Sequence, residues 1–546
     1  MKLKKTLASL LFATIAASGC ASDETISTEG FRKKGDPRKG DASAEAVFVN
    51  FEFDGELVTD YAYNVEQTIQ DQMLYTIGQL NGDRAVGRLD QLVLTDVATE
   101  ATDDGKTRIS YHAVLPVAWG DKDDFPSTYT LKLPTDASFS GQQAFTDKYK
   151  DDCVDWGAHD VDSGSMWYYY RPERYNCSID SDDIVDLQAT VSLSDTNTSG
   201  KYPEYDKVWE DGELRVVAVF GKYEDDATSN SDAGISAYNR FLKAIKSELG
   251  ASDLVTTPAE VPTSPGVDVP EVRYEATLAD GRTVVVDALL VDNVRTAPIE
   301  FDTLYAELSG TADLIIYNGH AGLGANIRAL ARKGEWLPGQ YKMVFMNGCD
   351  TYAYVDGAIT EAHAGLNDDD PIGTKYVDMI TNALPSFFSS MSNASMALIR
   401  GLISVEQPMT YEQMFENIDS AQVVLVSGEE DNVFVPGGSD EPEVQGWEGI
   451  TQAGTVNKTS SGPDEDRFET PTLPAGTYVF SITGTGDADL YVRVGLEPTA
   501  DRYDCRPYLD GSQEKCIVEL SSPAKIFGMV RAWAAVSNYD LSAGPQ

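Results

Sequence analysis

The sequence predicts an α/β protein: a mainly parallel sheet with flanking helices, preceded by an α+β domain and followed by a β-rich module. Three observations support this prediction. Short, fully apolar runs alternate with amphipathic helical patterns over residues 213–436, which is the rhythm of βαβ units. Residues 45–212 mix strand and helix signals, whereas residues 437–546 show mainly the period-two alternation of strands. The length of 546 residues fits roughly three or four domains.

The chain is strongly acidic, with 42 Lys and Arg against 88 Asp and Glu and a formal net charge of −46. Its hydrophobic content of 42% is ordinary for a folded protein, so we expect the acidic residues on folded surfaces. Phosphate backbones repel such a polyanion, which excludes nucleic acid as a partner. The sequence has six Cys, four His and no Cys-x-x-Cys pair, which argues against a cysteine-rich zinc site.

The first 44 residues have the pattern of an export signal and a linker. Residues 1–19 combine a basic start, a short apolar run from Leu7 to Ala17 and small residues before Cys20. This is the pattern of a secretory signal peptide, and the apolar run is too short for a stable membrane span. Residues 20–44 are polar and predict a flexible tether to the first domain.

The residues around the cleavage point, Ala17-Ser18-Gly19-Cys20, resemble a bacterial lipobox. The resemblance implies that Cys20 becomes the first mature residue and carries a lipid, so that the membrane is a partner through the N-terminus. Ala21 follows without the Asp that often marks retention at the inner membrane, which favours the outer membrane or cell surface. An ordinary signal peptide with an incidental cysteine remains the alternative.

The domain over residues 45–212 contains one clear helix and several strands. Apolar alternation predicts strands at Val47–Phe53 and Arg108–Leu115, and Glu66–Leu80 has helical periodicity. No motif in this segment points to a chemistry, so the predicted role is that of an accessory domain or pro-domain.

The aromatic run Trp167–Tyr170 in this domain predicts a buried strand, with a carbohydrate platform as the alternative. Cys153 and Cys177 flank the run. In an oxidising compartment these two cysteines most simply form a disulfide.

The central domain alternates predicted strands and helices. The helix after position 231 has Ser231 and Asp232 available as caps and an apolar stripe on one face. Strands are predicted near 214–220, 272–278, 283–291, 314–317, 343–346 and 423–426, and helices near 231–249, 302–309, 324–333, 373–390 and 410–418. In such sheets the reactive groups gather beyond the carboxyl ends of the strands.

Two of these strands are followed by residues that can take part in catalysis. Leu314–Tyr317 leads into Asn318-Gly319-His320, and Met343–Met346 leads into Asn347-Gly348-Cys349. If the strands are neighbours, His320 and Cys349 emerge at the same edge of the sheet. A nearby imidazole lowers the pKa of a thiol and protonates a leaving group, which predicts a catalytic Cys/His dyad. The alternatives are a buried cysteine and a hydrogen-bonded turn histidine, and His363 is a weaker rival base.

An apolar strand ending in His and a later apolar strand ending in Cys resemble the caspase-hemoglobinase class of cysteine peptidases (clan CD), with gingipain- and clostripain-like features. The resemblance implies a caspase-like sheet, Cys349 as nucleophile and His320 as acid and base. It also implies an oxyanion hole formed by the backbone amides of Ala321, Gly322 and Cys349. No cofactor is required for that chemistry.

The C-terminal module carries a second resemblance. Residues 484–493, the Tyr503–Tyr508 segment and Cys516 are similar to the bacterial pre-peptidase C-terminal domain, a β-sandwich appended to secreted hydrolases. The resemblance implies a disulfide between Cys505 and Cys516. It also places Asp487 and Asp489 in a turn with room for a structural calcium ion; any other metal is unknown.

These features together predict an exported, lipid-anchored cysteine endopeptidase that hydrolyses protein or peptide substrates through a Cys/His dyad. The alternative is a catalytically inactive, caspase-like surface lipoprotein that acts as a binding or adhesion module. An esterase using the same pair of residues is a further alternative. The sequence leaves the cleavage specificity and the oligomeric state open.

Overall fold

The computed structural model describes residues 39–546 except 251, 355–356, 437–445, 461, 496, 501 and 521–522. The predicted signal peptide at residues 1–19, the predicted lipid site at Cys20 and all but the end of the predicted tether lie outside the described residues. Among the described residues, no helix has the length and apolar character needed to cross a bilayer.

The N-terminal domain is a sheet with helices packed on it. Its strands run in the order β3-β5-β2-β7-β6, with β4 also paired to β5. The elements, including a first strand that joins the central sheet, are β1 (Asp41–Ser43), β2 (Val47–Thr59), α1 (Val65–Asn81), β3 (Ala85–Gly87), β4 (Val93–Ala101), β5 (Thr107–Trp119), β6 (Thr128–Pro134), α2 (Phe139–Tyr149), α3 (Met166–Tyr169), β7 (Ile184–Leu193) and α4 (Tyr205–Val208).

Sequence patterns locate the main elements of this domain. Alternate residues of β2 are buried, as the predicted strand requires. The side chain of Asn64 accepts a hydrogen bond from the Gln67 amide and caps α1, close to the predicted start of this helix. A disulfide joins Cys153 to Cys177.

Trp167, Tyr168 and Tyr170 are buried and Tyr169 is half-buried, but this aromatic run does not form the predicted strand. It forms the short helix α3, because Asp162 accepts hydrogen bonds from the amides of Gly164 and Ser165 and starts a helical turn. The helix lies directly on α1: a Cβ atom at Gly78 would lie only 2.3 Å from the carbonyl oxygen of Trp167. The burial of this run leaves no open platform for a carbohydrate.

The central domain is built on a nine-stranded sheet in the order β1-β15-β14-β13-β12-β8-β11-β10-β9. Strands β11, β8, β12, β13 and β14 pair in parallel, and antiparallel strands extend both edges. Its elements are β8 (Glu213–Gly221), α5 (Ala233–Leu249), β9 (Asp253–Thr257), β10 (Glu271–Thr277), β11 (Thr283–Val291), α6 (Ile299–Thr311), β12 (Leu314–Asn318), α7 (Ala325–Lys333), β13 (Lys342–Asn347), α8 (Thr351–Tyr354), α9 (Ala358–Ala364), β14 (Val377–Asn382), α10 (Phe388–Ile403), α11 (Tyr411–Phe415) and β15 (Val424–Ser427).

The parallel strands are covered on both faces, which explains their continuous apolar sequences. Leu314 and Ile316 belong to the core on one face of the sheet, and Ile315 and Tyr317 belong to the core on the other. The predicted helix at 373–390 is wrong. Its first half is β14, and α10 begins only at Phe388, because Pro385 lacks a backbone donor and interrupts a helix at this point.

The C-terminal module is a β-sandwich of two sheets, ordered β16-β24-β20-β22 and β19-β23-β21, around one apolar core. A disulfide joins Cys505 to Cys516. The strands are β16 (Ile450–Val456), β17 (Lys458–Thr459), β18 (Gly462–Pro463), β19 (Glu465–Glu469), β20 (Gly476–Thr485), β21 (Ala488–Val494), β22 (Glu514–Leu520), β23 (Ile526–Ala532) and β24 (Ser537–Pro545). Arg493 of β21 is 2% exposed and donates to the carbonyl oxygen of Pro408, which joins the sandwich to the central domain.

The structure therefore confirms a mixed α/β protein with several sheets. It does not show a caspase-like core, so that part of the predicted fold class is not retained.

The end of the predicted tether is ordered as an edge strand. Residues Asp41–Ser43 pair antiparallel with β15, and the backbone of Asp41 also bonds to residues 196 and 198 of the N-terminal domain. The carboxylate of Asp41 lies 3.6 Å from the guanidinium of Arg88. Arg88 also forms an ion pair with Asp90, at 3.1 Å. Burial raises the pKa of Asp41 and Arg88 opposes that rise, so the strand depends on a buried ion pair.

We predict that Asp41→Ala lowers the free energy of unfolding by about 3–5 kcal/mol, because it leaves the buried Arg88 with one carboxylate fewer. Urea unfolding of the purified chain measures this change. Asp54→Ala is the matched control: Asp54 is paired with His112, but its side chain is 92% exposed, so the expected loss is below about 1 kcal/mol. Equal losses in the two variants would contradict the structural role of the buried pair.

Candidate functional site at the carboxyl edge of the central sheet

The turns that carry His320 and Cys349 emerge side by side. Asn318 and Asn347 are register partners at the ends of the parallel strands β12 and β13, so both turns leave the same edge of the sheet. The two turns are in close contact at Gly348: a Cβ atom there would lie 2.8 Å from the carbonyl oxygen of Gly319 and 3.2 Å from the amide nitrogen of Ala321. The structure thus brings the predicted site residues to one place.

His320 is half-buried between two aromatic rings. Its Nε2 lies 3.0 Å from the carbonyl oxygen of Tyr223, and the ring centroids of Tyr223 and Phe388 lie 5.4 and 5.3 Å away. The carbonyl oxygen of His320 accepts a hydrogen bond of 2.9 Å from the Tyr317 hydroxyl. The backbone and the imidazole are therefore both held in place.

Cys349 is half-buried and carries its thiol outside the two disulfides. The structure assigns this thiol a weak hydrogen bond of 3.6 Å to the carbonyl oxygen of Ser386. Ser386 lies in the segment after β14, so a third strand end contributes to the surroundings of Cys349.

A network of buried amides joins the three strand ends. The Asn347 side chain donates to Asn318 Oδ1 at 2.8 Å. Its own Oδ1 accepts hydrogen bonds from Asn382, Ser386 and Gln422 at 2.7–3.0 Å. Sequence reasoning missed Asn382 and Ser386, because residues 373–390 were predicted to form a helix, and it missed Gln422, which directly precedes the predicted strand at 423–426. The detectable signal was the asparagine that ends β12, β13 and β14.

Three of the eight non-glycine residues with positive φ in the described part of the chain lie at this edge. Leu323 has a φ of 49°, Asp350 of 50° and Val423 of 48°, and Gly322 and Gly324 on either side of Leu323 also have positive φ. Left-handed geometry costs about 1–3 kcal/mol at a residue other than glycine, and it persists where surrounding contacts impose it. Such strain clusters at functional sites, so it supports a working site at these turns.

Asp350 directs a carboxyl group from the Cys349 turn into the N-terminal domain. The side chain is fully buried, and burial raises its pKa to about 7. Asn81, Tyr168 and Arg171 of the N-terminal domain oppose part of this rise.

The N-terminal domain also packs against the helix that follows. Tyr352 and Tyr354 of α8 belong to the core of that domain, with Phe48 and Trp167 at centroid distances of 6.0 and 6.5 Å. Arg88 lies 5.2 Å from the centroid of the Tyr352 ring. The N-terminal domain is thus one wall of the candidate site, and the two share a core.

The rival base His363 belongs to a different part of the central domain. It is fully buried on α9 beside Trp336, at a centroid distance of 5.3 Å. Burial lowers its pKa to about 4, and Lys342, at the amino end of β13, adds to the effect. Its surroundings therefore lie toward the opposite edge from Cys349.

The described residues contain no group of three or more His, Cys, Asp or Glu side chains able to hold a metal ion. The predicted turn holds one of the two carboxylates proposed for calcium: Asp487 precedes β21 and accepts a hydrogen bond from the Gly511 amide at 3.0 Å, whereas Asp489 lies within β21 and pairs with Arg506 at 2.9 Å. Both carboxylates thus have protein partners.

No protein-family profile matches this chain. Short segments of the chain are similar to bacterial proteases. The neutral protease of Vibrio proteolyticus is 36% identical over 74 residues, which are 14% of this chain and 12% of that relative. The zinc metalloprotease of Helicobacter pylori is 38% identical over 78 residues, or 14% of this chain and 30% of that relative. The alkaline serine exoprotease A of Vibrio alginolyticus is 37% identical over 60 residues, or 11% of each protein. The chain thus spans less than a third of these relatives.

Similarity to solved structures is weaker. The periplasmic inhibitor of g-type lysozyme from Aeromonas hydrophila covers 19% of this chain and 93% of its own at 18% identity, with a TM-score of 0.16. A score this low supports no statement about fold or function.

These relatives correct the sequence-based identification. They include one protease named as a zinc metalloprotease and one named as a virulence metalloprotease, a different catalytic type from the predicted Cys/His dyad. The predicted membership of the caspase-hemoglobinase class is therefore wrong. The predicted function as a gingipain-like cysteine endopeptidase is wrong as well. The prediction that the chemistry needs no cofactor is wrong as well, because zinc metalloproteases use zinc.

The described residues do not fit a zinc site, however. The four histidines occupy separate places: His112 pairs with Asp54 on the N-terminal sheet, His159 lies near Asp160 in a loop, and His320 and His363 lie as described above. A catalytic zinc site takes about three protein ligands that converge on one point. We therefore assign no reaction step to zinc in this part of the chain.

We predict that Asp350→Asn stabilises the protein at pH 8 by up to about 4 kcal/mol and leaves its stability at pH 4 unchanged. The folded pKa of about 7 lies above the ordinary value of 3.8, so the wild-type protein loses stability as pH rises from about 4 to 7. The amide cannot ionise and avoids this loss. Urea unfolding across this pH range measures the difference.

Asp103→Asn is the control for charge removal, because Asp103 is exposed in a turn of the N-terminal domain. It should leave the pH dependence unchanged. A constant difference between Asp350→Asn and the wild type at all pH values would show that Asp350 is not the titrating group.

Proposed function

We propose that this chain is an exported bacterial hydrolase that acts on proteins, and that its working site is the carboxyl edge of the central sheet. The similarity of short segments to bacterial proteases carries the proposal of protein substrates. Two of these relatives are named as a zinc metalloprotease and a serine exoprotease. The short similar segments therefore do not decide between the zinc and serine types of these two relatives.

The carboxyl edge supports this role through its geometry. It combines half-buried groups at His320 and Cys349, a buried amide network and strained turns, which together form a preorganised polar site. In the proposal, the amides of Ala321, Gly322 and Cys349 bind a carbonyl oxygen of the bound protein segment. His320 and Cys349 contact that segment, without the predicted dyad mechanism.

A second candidate function is protein binding without hydrolysis. The wall that the N-terminal domain forms beside the edge, through Tyr352 and Tyr354, supports it, because such a wall can hold a bound protein segment without any bond being cleaved.

Incubation of the chain from Cys20 onward with casein and an unbiased peptide library tests the hydrolase proposal. We expect cleavage, and Asn347→Ala should lower kcat/KM by about 100-fold, because it unlinks the three strand ends and misplaces the turns. Asn538→Ala, on the exposed face of β24, is the matched control and should keep full activity. Phenanthroline and iodoacetamide report the catalytic type.

Failure to cleave any peptide, combined with retention of casein on the immobilised protein, would reject hydrolysis in favour of the binding function. Full activity of Asn347→Ala would contradict the assignment of the site to this edge.

Export and lipid attachment are part of the proposal, with Cys20 as the modified residue at the outer membrane or cell surface. We predict that Cys20→Ser moves the protein from the membrane fraction to the soluble fraction of an expressing bacterium, because it removes the acceptor thiol for the lipid. Fractionation and labelling with a palmitate analogue measure the change. Cys349→Ser, which leaves Cys20 in place, should stay in the membrane fraction; labelling of Cys20→Ser would contradict the assignment.

A further inference from the structure

The loop after α2 in the N-terminal domain carries a pocket with an exposed tryptophan at its rim. Trp156 leaves 86% of its surface in solvent, although large aromatic side chains are usually well buried. The adjoining pocket has a volume of about 360 Å³, which lies within the range of small-molecule sites. Packing of the domain does not account for an indole placed in this way.

Trp156 is held in position from one side. The guanidinium of Arg174 lies 3.7 Å from the ring centroid, over one face of the indole. Arg174 is fixed in turn by donating a hydrogen bond to the carbonyl oxygen of Val154. The disulfide between Cys153 and Cys177 ties both strands of the loop together. Arg174 therefore covers one face of the indole, and the other face is exposed to solvent.

The lining of the pocket is polar and nearly balanced in charge. Carboxylates accept hydrogen bonds from hydroxyl groups, whereas ammonium and guanidinium groups donate to them, so the lining suits a neutral molecule with many hydroxyls. An anionic ligand would meet several carboxylates, and an apolar ligand would remove water from charged groups. The charged and titratable lining residues are Asp151, Asp155, Asp160, Lys150, Arg174 and His159.

We propose that this pocket binds a neutral saccharide. The open face of Trp156 stacks on the C–H face of a sugar ring, and the surrounding charged side chains hydrogen-bond its hydroxyl groups. The site lies in the N-terminal domain, and none of its lining residues belongs to the carboxyl edge of the central sheet. It would hold the chain on a glycan while the central domain acts on protein.

Calorimetric titration of the chain from Cys20 onward with neutral oligosaccharides tests this proposal. Maltohexaose, cellohexaose, mannohexaose and chitohexaose are suitable probes. We expect at least one of them to bind, and Trp156→Ala to weaken its binding by about tenfold or more, because the stacking surface is lost. Trp156→Phe keeps a flat ring and should restore part of the affinity.

Trp533→Ala is the matched control. Trp533 is 51% exposed in the C-terminal sandwich, and Lys458 lies 4.1 Å from its ring centroid, so it repeats the arrangement of an indole under a cation. Its removal should leave saccharide binding unchanged. If Trp156→Ala does not fold, Asp151→Ala serves instead: it removes one acceptor from the exposed rim and should weaken binding by about fivefold.

Three results would overturn the proposal: no binding of any probe at millimolar concentration, binding that Trp156→Ala or its substitute leaves unchanged, or loss of binding in Trp533→Ala. A loss of casein binding in Trp156→Ala, with no saccharide bound, would overturn it too and make the pocket a protein site. None of these results depends on whether the central domain hydrolyses peptides, so this proposal and the hydrolase proposal fail independently.

Discussion

The candidate site depends on one chain of buried amide hydrogen bonds. Asn318, Asn347 and Asn382 end three adjacent parallel strands, and their side chains bond to one another at 2.8 and 2.9 Å. A buried polar group that loses its partner costs about 1–3 kcal/mol, so any slip of one strand against the next is opposed at this point. The turns that follow these strands therefore start at matched positions along the sheet edge. They bring His320 and Cys349 to one edge and support the strained backbone at Leu323 and Asp350.

The local part of this arrangement was predictable. Continuous apolar runs identified β12 and β13, and the rule that parallel strands present reactive groups at their carboxyl ends identified their turns. The segment around β14 was not predictable in the same way, because its buried polar residues Asp378 and Asn382 weaken the apolar pattern of a core strand. Only the tertiary structure, in which these residues find partners, makes the strand favourable.

Contacts between domains could not be predicted from the sequence, for a different reason. The bonds of Arg88 to Asp41 and Ser427 join residues far apart in the chain, and no local period reports them. The same holds for Asp350, whose neighbours come from α1 and the segment after α3. The sequence predicts an accessory domain or pro-domain over residues 45–212, and that role stays a prediction. The structure adds that this domain shares its core with the candidate site.

The local motifs of this sequence did not identify its catalytic type. The paired strand ends with His and Cys suggested a peptidase class that the similar proteases contradict, while the geometry of those strand ends is present in the structure. Matched position in a sheet does not by itself assign a reaction. The substrate class is proposed from short segments similar to proteases, and the place of action from the central sheet.

The central claim is that proteins are engaged at the carboxyl edge, and crosslinking from the native thiol of Cys349 tests it directly. In a Cys20→Ser variant, which lacks the other cysteine outside the two disulfides, a benzophenone attached to Cys349 through a maleimide should, on illumination with casein, yield a crosslinked product that excess unlabelled casein suppresses. The same probe at position 533, in a Trp533→Cys variant with Cys20→Ser and Cys349→Ser, should yield little. Crosslinks from position 533 alone would contradict the account and move the protein-binding site to the C-terminal sandwich.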